Sequence, residues 1–213
     1  MKSEGSSTKV YNAIKKKILT FQVLPGGKIS DAQVAKSMGK SRTPVREALN
    51  RLSKDGLVTA RQNRGFSVKS FTKKEVEDLC HLRETLEKFA VKLTINKLNQ
   101  KKSIALKKTV DRYYEMYKTQ NLQGANRADL KFHDLIAKYS GNKALYETIR
   151  TLADKIVLAR RYYLYSALDL QEAYEEHKKI AEFILARETK KAEKAMSKHI
   201  MSAIEDIMRG YKR

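Results

Sequence analysis

Ser41-Arg42-Thr43-Pro44-Val45-Arg46-Glu47-Ala48-Leu49 has the form of a helix that reads DNA. Val45, Ala48, Leu49 and Leu52 fall at i, i+3, i+4 and i+7, so one stripe of this helix is apolar and has to be buried. Thr43, Arg46, Glu47 and Asn50 lie on the opposite side, with Arg42 at the leading end. Pro44 has no N–H to give and is tolerated only in a first turn, so the helix starts within a residue or two of it. Arg42 and Arg46 then project near the N-terminus, where a helix in the major groove meets phosphates and guanine edges. An ordinary amphipathic helix with arginines on its wet face fits the same nine residues, and the flanking sequence decides between the two.

Upstream, Val10, Ile14, Ile18 and Phe21 mark a helix over 9–21, which Leu24-Pro25-Gly26-Gly27 breaks. Ser30 is placed to cap a short helix carrying Val34, Ala35 and Met38, and Gly39 ends it. The connection to the arginine-bearing helix is then very short, as in a helix-turn-helix. Downstream, Asp55-Gly56 stops the helix, Leu57-Val58-Thr59-Ala60 reads as a strand, 61–65 as a turn and Phe66-Ser67-Val68 as a second strand. A hairpin in that place makes a wing. Arg61, Arg64 and the Gly65 backbone would sit in or near it, where a cation and a residue without Cβ can approach a phosphate backbone.

Pro25-Gly26, Ser30-Asp31, Val34-Ala35, the run from Ser41 to Leu49, Leu52, Asp55-Gly56-Leu57-Val58 and Arg64-Gly65 together resemble the GntR family of bacterial transcription regulators over nearly all of 9–70. The resemblance implies that Arg42, Thr43 and Arg46 contact an operator and that Arg64-Gly65 form the wing tip. Some members carry a DNA-touching arginine in the second helix, where this chain has Asp31-Ala32-Gln33.

Thr72-Lys73-Lys74-Glu75 fits a capping box, which starts a new helix at about 72 and sets a domain boundary there, 1–71 against 72–213. Six helices follow, over 73–99, 102–119, 122–140, 143–166, 168–187 and 189–210, parted by Gly124, by Ser140-Gly141-Asn142 and by Gly210. The expected fold is therefore mainly α: an N-terminal winged helix-turn-helix and then an all-α bundle of six to seven helices. Leu82-Arg83, Glu87, Ala90, Asp129, Phe132-His133, Gly141-Asn142, Leu145, Glu176-His177 and His199 resemble the FCD ligand-binding domain of the FadR-type branch, over about 75–210.

The chain has four histidines. Asp129 and His133 stand at i, i+4 on one helix face, and His133 shares its stripe with Leu130, Ile136 and Ala137. His177 goes with Tyr174, Ile180, Ala181 and Ile184, and His199 with Ala195, Met196, Ala203 and Ile207. One such histidine is more often a satisfied core residue than a ligand. Three of them on the inner sides of three helices, with a carboxylate, favour convergence on a divalent transition metal: Zn, Ni, Fe or Mn. The FCD resemblance puts a metal on the same Asp129, His133, His177 and His199. It also implies that Arg83 receives a small carboxylate effector, a bidentate contact; the competing role for Arg83 is an ion pair with Glu87 at i+4. His81, among acidic neighbours, reads as solvated. Adjacent tyrosines such as Tyr113-Tyr114 and Tyr162-Tyr163 point different ways on a helix and read as packing rather than as a platform for bases.

The 213 residues hold 45 Lys and Arg against 24 Asp and Glu, a net charge of +21 that attracts polyanions. Residues 1–71 alone carry 15 basic and 4 acidic side chains, so DNA is expected there, with Lys15, Lys16 and Lys17 as candidate phosphate contacts. No apolar run approaches the roughly 18 residues of a membrane span, the N-terminal residues lack the apolar core of a signal peptide, and Cys80 has no second cysteine to pair with. Together these fit a cytoplasmic protein with no membrane partner, and the family resemblance implies a regulator that binds a palindromic operator as a homodimer. A metal-free pocket for an organic acid or acyl ligand is the nearest rival. An enzyme is disfavoured, because neither His-Glu-x-x-His nor the Glu-x-x-His of di-iron bundles is present; positions 130, 174 and 196 are Leu, Tyr and Met. A non-specific architectural DNA protein would share the charge but not the discrimination between sequences.

Overall fold

The computed structural model describes residues 5–61, 65–159 and 170–210. Contacts divide the chain into two compact units, one running to Thr72 and taking in the end of a later helix from Asp154, the other holding Lys73–Ala153 and the C-terminal helices.

The first unit starts with α1 (Ser6–Leu19), which buries Val10, Tyr11, Ile14 and Ile18 on one face. It begins a turn earlier than the apolar pattern alone suggests and ends at Thr20, since Phe21 takes a positive φ of 57°. After the Pro25-Gly26-Gly27 turn comes β1 (Lys28–Ile29), a strand too short to show any alternation in the sequence. In α2 (Asp31–Met38) the Ser30 hydroxyl accepts from the Gln33 N–H, and Gly39 closes the helix in the left-handed region at φ 59°. Lys40 and Ser41 are the whole connection to α3 (Arg42–Lys54), whose buried residues are Val45, Ala48, Leu49 and Leu52. β2 (Val58–Arg61) and β3 (Gly65–Val68) pair antiparallel, Val58 opposite Val68 and Arg61 opposite Gly65, and β1 adds to the far side of β3. Leu57, Val58, Phe66 and Val68 of this sheet close over the stripes of α1 and α3 in one apolar core, which Leu158 joins. This is a winged helix-turn-helix with a three-stranded sheet.

In the second unit lie α4 (Lys73–Asn96), α5 (Gln100–Lys118), α6 (Leu122–Tyr139), α7 (Lys143–Ala159) up to Ala153, α8 (Leu170–Leu185) and α9 (Thr189–Gly210), with three residues between successive helices from α4 to α7 and between α8 and α9. Side-chain amides cap two of them: Asn99 accepts from the Lys102 N–H and Asn121 from the Gly124 N–H. α4 packs chiefly on α9 and then on α6, while α5 lies against α6 and α8. Thr94 donates to the Ile136 carbonyl at 2.7 Å, tying α4 to α6, and Arg187 donates to the carbonyls of Ile95 and Leu98 at the end of α4. The helix expected over 143–166 is seen to Ala159; its remainder, with Tyr162 and Tyr163, lies outside the described residues. Leu130 is a correction to the stripe assigned to His133. It is 38% exposed, because α6 is covered on the arc of Phe132, His133, Ile136 and Ala137 and Leu130 falls at its edge.

Candidate metal centre and DNA-facing surface

α6 carries Asp129 and His133 one turn apart on its inner face, α8 brings His177 and α9 brings His199. All three imidazoles are buried. One ligand atom from each of the four residues falls within 4.8 Å of the others. Asp129 Oδ1 is 3.2 Å from His177 Nε2, 3.6 Å from His133 Nε2 and 3.8 Å from His199 Nε2. Neighbouring ligands on an ion with bonds of about 2.1 Å stand roughly 3.0 to 3.4 Å apart, so the 3.2 Å from Asp129 to His177 already has that spacing and the wider separations would have to close in on an ion.

The far side of each ring explains why Nε2 points inward. His133 Nδ1 donates to Glu87 Oε2, His177 Nδ1 donates to the Ala173 carbonyl at 2.7 Å, and His199 Nδ1 donates to Glu176 Oε2 at 2.8 Å. With the proton on Nδ1, each Nε2 offers a lone pair, the orientation that metal-ligating histidines take from their outer partners. His177 Nε2 has no hydrogen-bond partner among the described residues, although Asp129 Oδ1 stands 3.2 Å away. His133 Nε2 and His199 Nε2 face each other at 3.2 Å. Two ring nitrogens in that arrangement require a proton or a cation shared between them.

Burial works to raise the Asp129 carboxyl, but the histidines beside it outweigh burial and hold it well below the usual carboxylate range. Burial likewise disfavours a charged His133, and the Glu87 carboxylate overrides this to raise it. For His199, burial and the neighbouring His177 prevail over Glu176 and bring it down to about 4, so this imidazole is neutral at physiological pH. Glu87 is pulled to about 2 against its own desolvation by Arg83 and His133.

Arg83 is itself buried, and its Nε donates to Glu87 Oε1 at 2.5 Å. The structure thus places Arg83 behind His133, with Glu87 between them, in the ion pair that the i, i+4 spacing also allowed. Glu87 and Glu176 are functional candidates that the apolar stripes gave no reason to choose; the signals were their places in the FCD resemblance and, for Glu87, its i, i+4 spacing from Arg83. His81 is exposed. Tyr113 packs on His177 with centroids 4.9 Å apart, and Tyr117 stacks on Tyr174, so these tyrosines pack within the bundle.

On the first unit, Arg42, Thr43 and Arg46 are exposed on the first turns of α3. Asp31 of α2 meets both arginines: its two carboxylate oxygens accept from Arg42 Nη2 at 3.1 and 3.0 Å, and Oδ2 is 3.9 Å from Arg46 Nη1. Gly65 opens β3 with φ 76°, a conformation suited to glycine, and Arg64 lies outside the described residues. Lys16 and Lys17 are exposed, whereas Lys15 pairs with Asp154. No described helix is long and apolar enough to cross a membrane.

Comparison with known proteins gives two family matches: residues 6–68 match the bacterial regulatory proteins of the gntR family, and residues 78–202 match the FCD domain. The HTH-type transcriptional regulator YdhC of Bacillus subtilis (strain 168) is 31% identical over 90% of this chain and 84% of its own length. The Nta operon transcriptional regulator of Aminobacter aminovorans is 27% identical over 89% of each. Among solved structures, E. coli McbR/YncC shares the fold with a TM-score of 0.86 at 21% identity, covering 98% of this chain and 99% of that one.

Proposed function

The chain belongs to the gntR family of bacterial regulatory proteins and carries an FCD domain, and from that premise we propose that it is a repressor whose operator binding is set by a metal-assisted effector pocket. The observation that carries the pocket is the convergence of three Nε2 atoms and one carboxylate oxygen, with every Nδ1 already held from behind. Asp129, His133, His177 and His199 are the ligands. The charges support a cation. Asp129, Glu87 and Glu176 bring three carboxylates against the Arg83 guanidinium and the exposed Lys198 ammonium, 3.9 Å from Glu176, which leaves an excess of one negative charge when the imidazoles are neutral. An unbalanced buried charge is costly, and a bound cation offsets it.

Bound there, a divalent transition metal would supply a Lewis-acidic anchor for a small carboxylate effector. The protein's own part is to exclude water with Phe132 and Tyr113, to orient the imidazoles through Glu87, Ala173 and Glu176, and to hold Arg83 close behind His133. The chain acts as a cytoplasmic homodimer on a palindromic operator, with residues 1–71 as the DNA-binding domain and 72–213 as the effector and dimerisation domain. Arg42, Thr43, Arg46 and the wing residues Arg64 and Gly65 contact the DNA. Effector binding changes operator affinity only by the difference in its affinity for the DNA-competent and incompetent states, about 1–3 kcal/mol in typical regulators.

Elemental analysis of untagged protein purified without chelator, beside His133→Ala and His177→Ala, tests the pocket. The expected result is about one equivalent of transition metal in the parent protein and loss of it in both variants, with the helical circular dichroism retained. A parent protein that takes up no metal on reconstitution would overturn this reading and return the histidines to a metal-free pocket.

A further inference from the structure

Residues 5–61 place three acidic side chains among a dozen basic ones, and one of the three sits where a polyanion is expected to dock. Asp55 accepts from the Tyr11 hydroxyl at 2.6 Å, and Glu47 is exposed with no partner among the described residues. Asp31, by contrast, is wedged under the first turn of α3. Its side chain is 17% exposed, while those of Arg42 and Arg46 are 62% and 61% exposed. Both oxygens face one nitrogen of Arg42, Nη2, so its Nε and Nη1 donors have no partner among the described residues. The hydrogen bond from Arg42 keeps the carboxyl below its usual range, against a small desolvation cost, so the group is ionised wherever DNA binding is measured.

A carboxylate in that position has two effects on a duplex. It opposes any phosphate that comes near the two arginines, which weakens sequence-independent attraction. It also holds Arg42 Nη2 in place before the duplex arrives, which restrains the guanidinium. Bidentate recognition of a guanine edge needs the guanidinium plane set, and an arginine free to swing loses rotamer entropy on binding. A phosphate accepts from a swinging arginine as readily as from a fixed one; a base edge does not. The carboxylate therefore taxes the wrong partner more than the right one.

We propose that Asp31 is a specificity-determining residue of the DNA-binding surface, which braces Arg42 and Arg46 and lowers affinity for DNA that offers them only phosphate. This rests on the reading that α3 faces DNA. It adds a residue that touches no nucleotide itself and acts through the two arginines.

The full-length protein first selects its own duplexes from a random library. Fluorescence anisotropy across a salt series then measures the affinities of the parent, Asp31→Asn, Asp31→Ala and Asp31→Glu for a selected duplex and for a random-sequence one. Asp31→Asn and Asp31→Ala are expected to bind the random duplex roughly threefold tighter, with a log–log salt slope steeper by about one. The ratio of selected to random affinity is expected to fall roughly tenfold, and Asp31→Glu should restore part of it. A parallel change on both duplexes with an unaltered salt slope would mean that Asp31 acts only on the stability of α2, and the proposal would be wrong. A parent protein that enriches no sequence at all brings down the DNA-facing reading and this inference with it. That outcome is visible before any variant is measured.

Discussion

Replacing Glu176 with alanine removes the acceptor that sets the ring of His199 without touching a ligand. The Glu176 carboxylate accepts twice, from His199 Nδ1 at 2.8 Å through Oε2 and from Ser202 Oγ at 3.2 Å through Oε1. Only the first bond bears on the histidine cluster. Outer partners of this kind are worth about 10- to 100-fold in metal affinity, or roughly 1.4 to 2.7 kcal/mol. Alanine, which also leaves His199 Nδ1 buried without an acceptor, belongs at the upper end. Glu176→Gln keeps an oxygen able to accept from Nδ1 but loses the charge. A charge-assisted bond is roughly twice as strong as a neutral one, so the loss is expected near tenfold. Competition against a chromophoric chelator, with Zn²⁺ as a redox-silent probe, reads the affinities directly. Thermal melts with and without Zn²⁺ give a second reading. Stabilisation by a ligand scales with the logarithm of its concentration over Kd. The metal-dependent part of Tm should therefore shrink by about 3 to 10 °C in the alanine variant, at the 2–4 °C per kcal/mol typical of this chain length. Zn²⁺ affinity in Glu176→Ala within threefold of the parent, while His177→Ala abolishes it, would refute the argument that the Nδ1 partners build the site.

Two further outcomes follow from the first unit. Arg46→Lys keeps the charge but loses the planar fork, so the salt slope should stay while discrimination between selected and random duplexes drops about 5- to 100-fold, as anisotropy will show. Leu49→Ala empties a fully buried position between α1, α3 and the sheet and is expected to destabilise that unit by about 2 to 5 kcal/mol in urea melts; a loss below 1 kcal/mol would show that the core collapses around the gap.

Arg42–Lys54 was legible in the sequence because one local pattern fixes everything about it: an apolar stripe, a proline in the first turn and a glycine beyond the last. The inward faces of His133, His177 and His199 were legible for the same reason, each from the period of its own helix. What joins different elements was not. Ser30 and Gly27 hide β1 between them, since two residues cannot show a period and the strand exists only through its pairing with β3. Glu87 could be paired with Arg83 four residues away, but its contact with His133 spans 46 positions and depends on how α4 meets α6. Asp31 entered as part of the Ser30-Asp31 match and as a departure from an arginine carried nearby by some relatives; the contact it makes with Arg42, eleven residues on, required the angle between two helices. Leu130 shows the opposite failure, a stripe drawn one residue too wide because periodicity does not say how far a covering layer extends.

From Arg83 through Glu87, His133, His199 and Glu176 to Ser202 runs an unbroken line of polar contacts that crosses α4, α6, α9 and α8. No helix on that line can detach without stranding a buried polar group that its neighbour had satisfied. Local fraying, the usual route by which single helices lose amide protection, is therefore closed to the segments that carry these residues. Their slowest amides should exchange with one shared opening free energy rather than four, and that energy would rise in step with anything the cluster holds.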